Sequence, residues 1–237
     1  MKILAIDSSS ESGSIAITEN EIVLFESVWH PKSGHTAELT SQLHEACLET
    51  KISLSEIEAF AVTIGPGSFT GVRVALSFLK GIVLLSEKPV VPVSTLSVLA
   101  ASVREDGLIC PMLDARREEI FSAVYRHTSS EYFNLLEQKG ESPEVFFNRL
   151  KEQFLNSDVP IFFLGSGARK YSSFIDAFPK QKKTILPISF DTIKASVLAQ
   201  LAFRQIQKGE FLKGAENLVP EYLRASEAEL RLKKVES

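Results

Sequence analysis

Two aspartates 107 residues apart, Asp7 and Asp114, occupy the same place in two copies of one pattern. In the first copy an apolar run, Ile3 to Ile6, reads as a buried strand ending at Asp7. The polar turn Ser8-Ser9-Ser10-Glu11-Ser12-Gly13 follows, and Ser14 to Thr18 returns as a second strand. In the second copy Leu108 to Leu113 ends at Asp114. Ala115-Arg116-Arg117-Glu118-Glu119 makes the turn, and Ile120 to Tyr125 returns. A supersecondary unit used twice restricts the chain to folds with two similar halves. The boundary falls near Glu105-Asp106-Gly107, which gives an α/β protein of two lobes, residues 1–105 and 106–237.

The segments between these units fill in both lobes. Ile22 to Val28 extends the first hairpin into a meander, and Thr36 to Glu49 has the 3.6-residue spacing of a helix, with Leu39, Leu43, Ala46 and Cys47 on one face. Ser53-Leu54-Ser55-Glu56 is a capping box that opens a short helical turn. Ala59 to Ile64 is an apolar strand, Val72 to Leu85 a helix, and Val90 to Val93 a strand followed by a helix that Ser94 can cap. In the second lobe Ser142-Pro143-Glu144 opens a helix and Ile161 to Leu164 is a strand. A last long helix runs from about Thr192 to Lys208 and stops at Gly209. Ser226-Glu227-Ala228-Glu229 can cap a short final helix. The helix from Val72 to Leu85 is apolar almost all round, with Arg73 and Lys80 its only charges, so it must be buried in the core or in an interface.

Composition excludes several functions. The chain has 237 residues, 44% hydrophobic, enough for a core without disulfide or metal staples. Its net charge of −4 argues against holding a nucleic acid alone, since phosphate neutralisation supplies most of that affinity. Cys47 and Cys110 form no CxxC pair and read as small buried thiols. The segment Met1 to Asp7 is too short and too soon acidic for a signal peptide, and no apolar run approaches the ~18 residues of a membrane span, so a cytoplasmic protein is expected.

The most informative loop is Gly65-Pro66-Gly67-Ser68-Phe69-Thr70-Gly71, between a buried strand and the apolar helix. Its glycines either permit a close strand–helix turn or admit an anion to the helix end, and both readings stay open. It is not a P-loop, because Val72 and Arg73 follow Gly71, and not a nucleophile elbow, because Phe69 is its centre. His30, His35, His44 and His127 show no HExxH and no pair at helical spacing. Asp7 followed by a Ser-rich turn resembles the first phosphate loop of actin-like ATPases, with Asp114 its counterpart and Gly165-Ser166-Gly167-Ala168 resembling their adenosine-side loop. Structural aspartates that bond turn N–H groups are the alternative, and the serine turn lacks the glycine that would admit a phosphate.

Gly65 to Arg73 resembles the signature of the TsaB family, also called YeaZ. Ile3-Leu4-Ala5-Ile6-Asp7-Ser8-Ser9, His35, Asp114-Ala115-Arg116-Arg117 and Pro220-Glu221-Tyr222-Leu223-Arg224, the family's closing strand, fit it in order. The resemblance implies a duplicated actin-like (ASKHA, ribonuclease H-like) two-lobed fold. It implies a role in forming threonylcarbamoyladenosine beside the anticodon of tRNA. There the TsaB type is a non-catalytic partner of a TsaD-type transferase, with a TsaE-type ATPase, and forms homodimers when the partner is missing. ATP or ADP and metal are expected on the partner subunits, none on this chain, and tRNA is met only through the complex. The catalytic relative holds metal with a His-x-x-x-His pair; here Leu39 follows His35 by four. In the family the two long helices of the first lobe form a bundle with the partner or a second copy. On that basis Leu39, Leu43, Val72, Leu76 and Leu79 are the expected contact residues, with a core role as the alternative. Leu43→Arg is accordingly expected to abolish pairing in a chain that stays folded. Asp7, Gly65, Gly67, Ser68, Thr70, Gly71 and Asp114 are the candidate nucleotide or structural loop residues. Two rivals remain: a free-standing actin-like ATPase or sugar kinase using Asp7 and Asp114, and a peptidase, for which the chain shows no nucleophile–base set.

Overall fold

In the computed structural model residues 1–31, 35–84, 86–128, 132–179 and 183–223 are described. The expected final helix near Ser226, together with Leu85 and Arg224, lies outside them. The first half runs β1 (Lys2–Asp7), β2 (Gly13–Glu19), β3 (Ile22–Trp29), α1 (His35–Thr50), β4 (Ala59–Thr63), α2 (Phe69–Ile82), β5 (Pro89–Val93) and α3 (Thr95–Ala101). The second repeats it with β6 (Gly107–Arg116), β7 (Glu119–His127), β8 (Tyr132–Glu141), α4 (Pro143–Phe154), β9 (Ile161–Leu164), α5 (Ser166–Lys170), α6 (Ser172–Ala177), β10 (Lys183–Ile185) and α7 (Ala195–Gln207). The sheets have the same order, β5-β4-β1-β2-β3 and β10-β9-β6-β7-β8, with β11 (Leu212–Lys213) added beside β5. In each, the strand that carries the aspartate pairs antiparallel with the next strand and parallel with the fourth; β1 ends at Asp7, while β6 runs two residues past Asp114 to Arg116. This is the duplicated actin-like plan.

Strand alternation builds the layers. On the outer face of the first sheet Leu4, Ile6, Ile15, Ile17, Phe60 and Val62 pack with α1 and α2. The inner face carries Ala5, Ala16, Ala59 and Ala61, and meets Ala195, Ala199 and Ala202 of α7. Small residues on both sides let helix and sheet approach closely. The second sheet turns Ile109, Leu113, Ala123 and Tyr125 toward the same central core, and Leu108, Cys110, Met112, Ile120 and Val124 toward α4 to α6. Five layers result, with α3 and α7 in the middle.

These two helices are exchanged between the halves: α3 packs on β6 and β7, and α7 on the strands of the first sheet. A cut between residues 105 and 106 therefore parts each sheet from a helix packed on it, and parts β11 from the first sheet. Two helix starts differ from the sequence reading. The Ser68 hydroxyl accepts from the Gly71 amide at 3.2 Å, so α2 begins three residues earlier, at Phe69. α7 begins at Ala195 because Asp191 is engaged elsewhere, and Glu26 of β3 instead accepts from the Ser196 amide at 2.8 Å. The stretch expected as a closing strand forms none over residues 220–223. It crosses the Gly65 loop, where the Glu221 amide donates to the Ile64 carbonyl at 2.8 Å.

Candidate functional site

The end of β1 meets the Gly65–Gly71 loop in a closed polar knot. Asp7 is fully buried. Its Oδ1 accepts from the Ser9 amide (3.1 Å), the Ser9 hydroxyl (2.5 Å) and the Thr63 hydroxyl (2.5 Å), while Oδ2 is buried with no partner. Thr95 at the start of α3 donates to the Ser9 hydroxyl at 3.1 Å, and its amide donates to the Gly65 carbonyl at 2.8 Å. The Ser8 hydroxyl donates to the Gly71 carbonyl at 2.7 Å, and the Ser68 amide to the Ser9 carbonyl at 2.7 Å. The knot ties β1, β4, α2 and α3 together.

The glycines are explained by this packing. A Cβ on Gly71 would lie 1.9 Å from the Ser8 carbonyl oxygen, and one on Gly67 would lie 2.2 Å from that of Ser9. Space that could admit a phosphate is filled by the chain's own backbone, and what points there are carbonyl oxygens, which repel an anion. The residues at this place therefore do not fit a nucleotide phosphate. Thr70 is exposed on the first turn of α2.

The second half repeats the device with different chemistry. Gly165, at φ 96°, would place a Cβ 2.3 Å from the Met112 carbonyl oxygen, so the Gly165 loop packs on β6 as the Gly65 loop packs on β1. This correspondence is visible in the sequence as two Gly-x-Gly triplets, each just past a strand, but the sequence reading did not pair them. The Gly165 amide donates to Asp191 Oδ1 at 2.6 Å, and Arg169 pairs with the same carboxylate at 2.9 Å. Asp114 is half-buried and ion-paired with Lys170 at 2.9 Å, and it accepts from the Arg116 amide at 2.9 Å. That last bond supports a turn in which Arg116, Arg117 and Glu118 all take left-handed φ of 50–62°. Asp114 is a turn-holding residue with its charge already paired.

Burial pushes the Asp7 carboxyl up from 3.8 to about 6, against the lowering effect of the Ser9 and Thr63 hydrogen bonds. Folding thus favours the protonated acid, and the native state binds more protons than the unfolded state between these values. Stability should be highest below about pH 4 on account of this group and fall as pH rises through 6, by up to about 3 kcal/mol. Asp7→Asn should remove this part of the pH dependence. Urea unfolding of both proteins from pH 4.5 to 8 checks it; parallel curves would show that Asp7 does not titrate with folding.

The structure corrects the expected contact residues. Leu39 and Leu79 are wholly buried, and Val72, Leu76 and Leu43 retain 3%, 4% and 9% of their exposure. All five pack with Leu4, Ile17 and Phe60 in the core between the first sheet and its outer helices. The helix spacing that suggested a docking stripe is the stripe that binds α1 and α2 to their own sheet. Further apolar side chains border this core: Val74, Phe78 and Ile82 pack against it and are partly buried, and Phe69, Leu84 and Leu48 of α1 are exposed. Arg73 lies 3.8 Å over the Phe69 ring and donates to the Tyr222 hydroxyl at 2.7 Å, which fastens residue 222 to the start of α2. Burial raises the Cys47 thiol and lifts that of Cys110 far above its usual range, so neither is poised as a nucleophile. Among the described residues no helix is long and apolar enough to cross a membrane.

A family model described as TsaD, tRNA N6-adenosine threonylcarbamoyltransferase, matches residues 29–232. The tRNA threonylcarbamoyladenosine biosynthesis protein TsaB of Bacillus subtilis is 30% identical over 232 residues, covering 98% of this chain and 97% of that protein. The chain belongs to the TsaB family. The Escherichia coli TsaB protein is 31% identical over 156 residues, 64% of this chain and 67% of its own length. The solved structure of YeaZ from Pseudomonas aeruginosa superposes with a TM-score of 0.77 at 25% identity, covering 93% of this chain and 99% of that one. In this TsaB-family chain, then, both Gly-x-Gly loops pack on backbone, and both aspartates bond to groups of the fold. Leu48 of α1, Phe69 of α2 and Leu84 just beyond it are among the exposed large apolar side chains.

Proposed function

We propose that this chain is the non-catalytic partner of a TsaD-type threonylcarbamoyltransferase and activates it by docking through the outer face of α1 and α2. The observation that carries the reading is the apolar surface left open along α1 and α2. Val74, Phe78 and Ile82 pack against the edge of the core yet stay partly exposed, and Phe69, Leu84 and Leu48 of α1 are exposed. Apolar surface of this kind is favoured when a partner covers it. The kinship with the TsaD family supports a paired helix bundle, and a second copy would use the same face when the partner is missing. Nucleotide and metal would belong to the TsaD-type and TsaE-type subunits; the carbonyl oxygens packed against the Gly67 and Gly71 positions, which disfavour a phosphate there, support this for the nucleotide. tRNA would be met through the assembly, in keeping with a net charge of −4.

Ser77 is exposed on α2, one turn from Val74 and Gly81. Ser77→Arg is expected to weaken co-elution with the TsaD-type subunit about 100-fold or more, by burying an unpaired charge, while the free chain melts unchanged. An unaltered complex would place the docking surface elsewhere.

A further inference from the structure

At the end of the molecule opposite the Asp7 knot, the α3–α7 layer opens between the sheets into a cleft. Its walls carry Arg104, His127, Tyr132, Gln200, Leu201 and Arg204. Arg104, Arg204 and His127 are its nitrogen-bearing ionisable side chains, Tyr132 adds a phenol, and among the described residues no carboxylate lines the cleft.

The arginines are loosely held. Arg104 reaches Gln200 Oε1 at 3.5 Å, and Arg204 reaches Glu21 at 3.6 Å, both longer than a good charge-assisted hydrogen bond. The Glu105 carboxylate accepts from the Arg104 backbone amide at 3.1 Å. The wall behind them is firm. The Tyr132 hydroxyl donates to the Ser97 carbonyl at 2.9 Å, its ring stacks on Tyr125 at 5.2 Å, and His127 Nδ1 lies 3.2 Å from the Glu105 carbonyl.

We infer that this cleft binds a compact small-molecule anion with a phosphate-sized head group, held between Arg104 of the first half and Arg204 of the second. Cleft residues from both halves converge there, and ligand sites favour such junctions. Two guanidiniums supply forked donors for an oxyanion, and Gln200 supplies a further donor. Glu21 lies 3.6 Å from Arg204, and Glu105 and Asp106 follow Arg104 in the chain, so a long polyanion such as RNA would meet carboxylates beside the arginines. Because α3 packs on the second sheet and α7 on the first, an anion bridging them fixes the spacing of the two halves. The inference is independent of the partner-subunit role.

The test is isothermal titration of the full chain with inorganic pyrophosphate at low salt, with a short single-stranded RNA in a parallel arm. Saturable pyrophosphate binding with Kd below about 1 mM is expected, weakened about tenfold or more by Arg104→Gln and by Arg204→Gln. Both arginines are exposed, so the variants should fold, and Lys208→Gln, outside the cleft, should bind as the parent does. No saturable binding below about 10 mM, or binding indifferent to both arginine variants, would overturn the site. RNA binding that depends on the arginines, without pyrophosphate binding, would overturn the small-molecule assignment.

Discussion

Gly71→Ala should destabilise the protein by about 4 kcal/mol or more, enough to leave much of the chain unfolded. The new methyl carbon would lie 1.9 Å from the Ser8 carbonyl oxygen and 3.3 Å from Ser68 Cβ. The oxygen belongs to backbone, and the Ser8 hydroxyl and Gly71 carbonyl are hydrogen-bonded across the same contact, so relief requires β1 and α2 to separate. Gly81→Ala is the matched control. It lies in the same helix with nothing within 4 Å of the added carbon, and should stabilise by about 0.5–1 kcal/mol through helix propensity. Urea unfolding of the pair separates a packing glycine from a ligand-admitting one. A Gly71→Ala protein as stable as the parent would mean the loop is open and the knot misdescribed.

The second large effect reverses the expectation drawn from helix spacing. Leu43→Arg should not give a folded chain that has merely lost its partner; it should fail to fold. Leu43 is 9% exposed and packs among the residues that join α1 to the first sheet, where a guanidinium would find no counter-charge. A cost of about 4 kcal/mol or more is expected, larger than most single substitutions produce. Circular dichroism and gel filtration of the free chain decide the point, and a monodisperse, fully helical Leu43→Arg protein would restore Leu43 to the surface.

What could be read from the sequence follows from local chemistry. The duplicated strand–Asp–turn–strand unit stands out because buried strands and polar turns differ sharply in composition. The Ser94 and Ser142 caps are local signals too, and both hydroxyls accept from the first turn of their helices. The serine turn after Asp7 was a poor phosphate grip on composition, and the structure shows why serines suit it: their hydroxyls satisfy a buried carboxylate and a backbone carbonyl.

Other features depend on tertiary partners. A helix as apolar as α2 has the same spacing whichever side meets the sheet, so Leu76 and Leu79 could not be told from docking residues. The start of α7 shifts from about Thr192 to Ala195, and the Asp191 carboxylate just before it is taken by Arg169 and the Gly165 amide, 22 and 26 residues away. The edge strand β8 escaped notice because Tyr132–Glu141 is mostly solvent-facing and lacks the clean alternation of a half-buried strand. The exchange of α3 and α7 between sheets has no local signature at all.

The most direct test of the partner-subunit account is threonylcarbamoyl transfer to tRNA by the TsaD-type subunit and its TsaE-type ATPase, assayed with this chain, without it, and with Ser77→Arg. The account predicts transfer that depends on this chain, with co-elution of the two subunits, and loss of both with the variant. Transfer at an equal rate without the chain, and no complex on gel filtration, would contradict it.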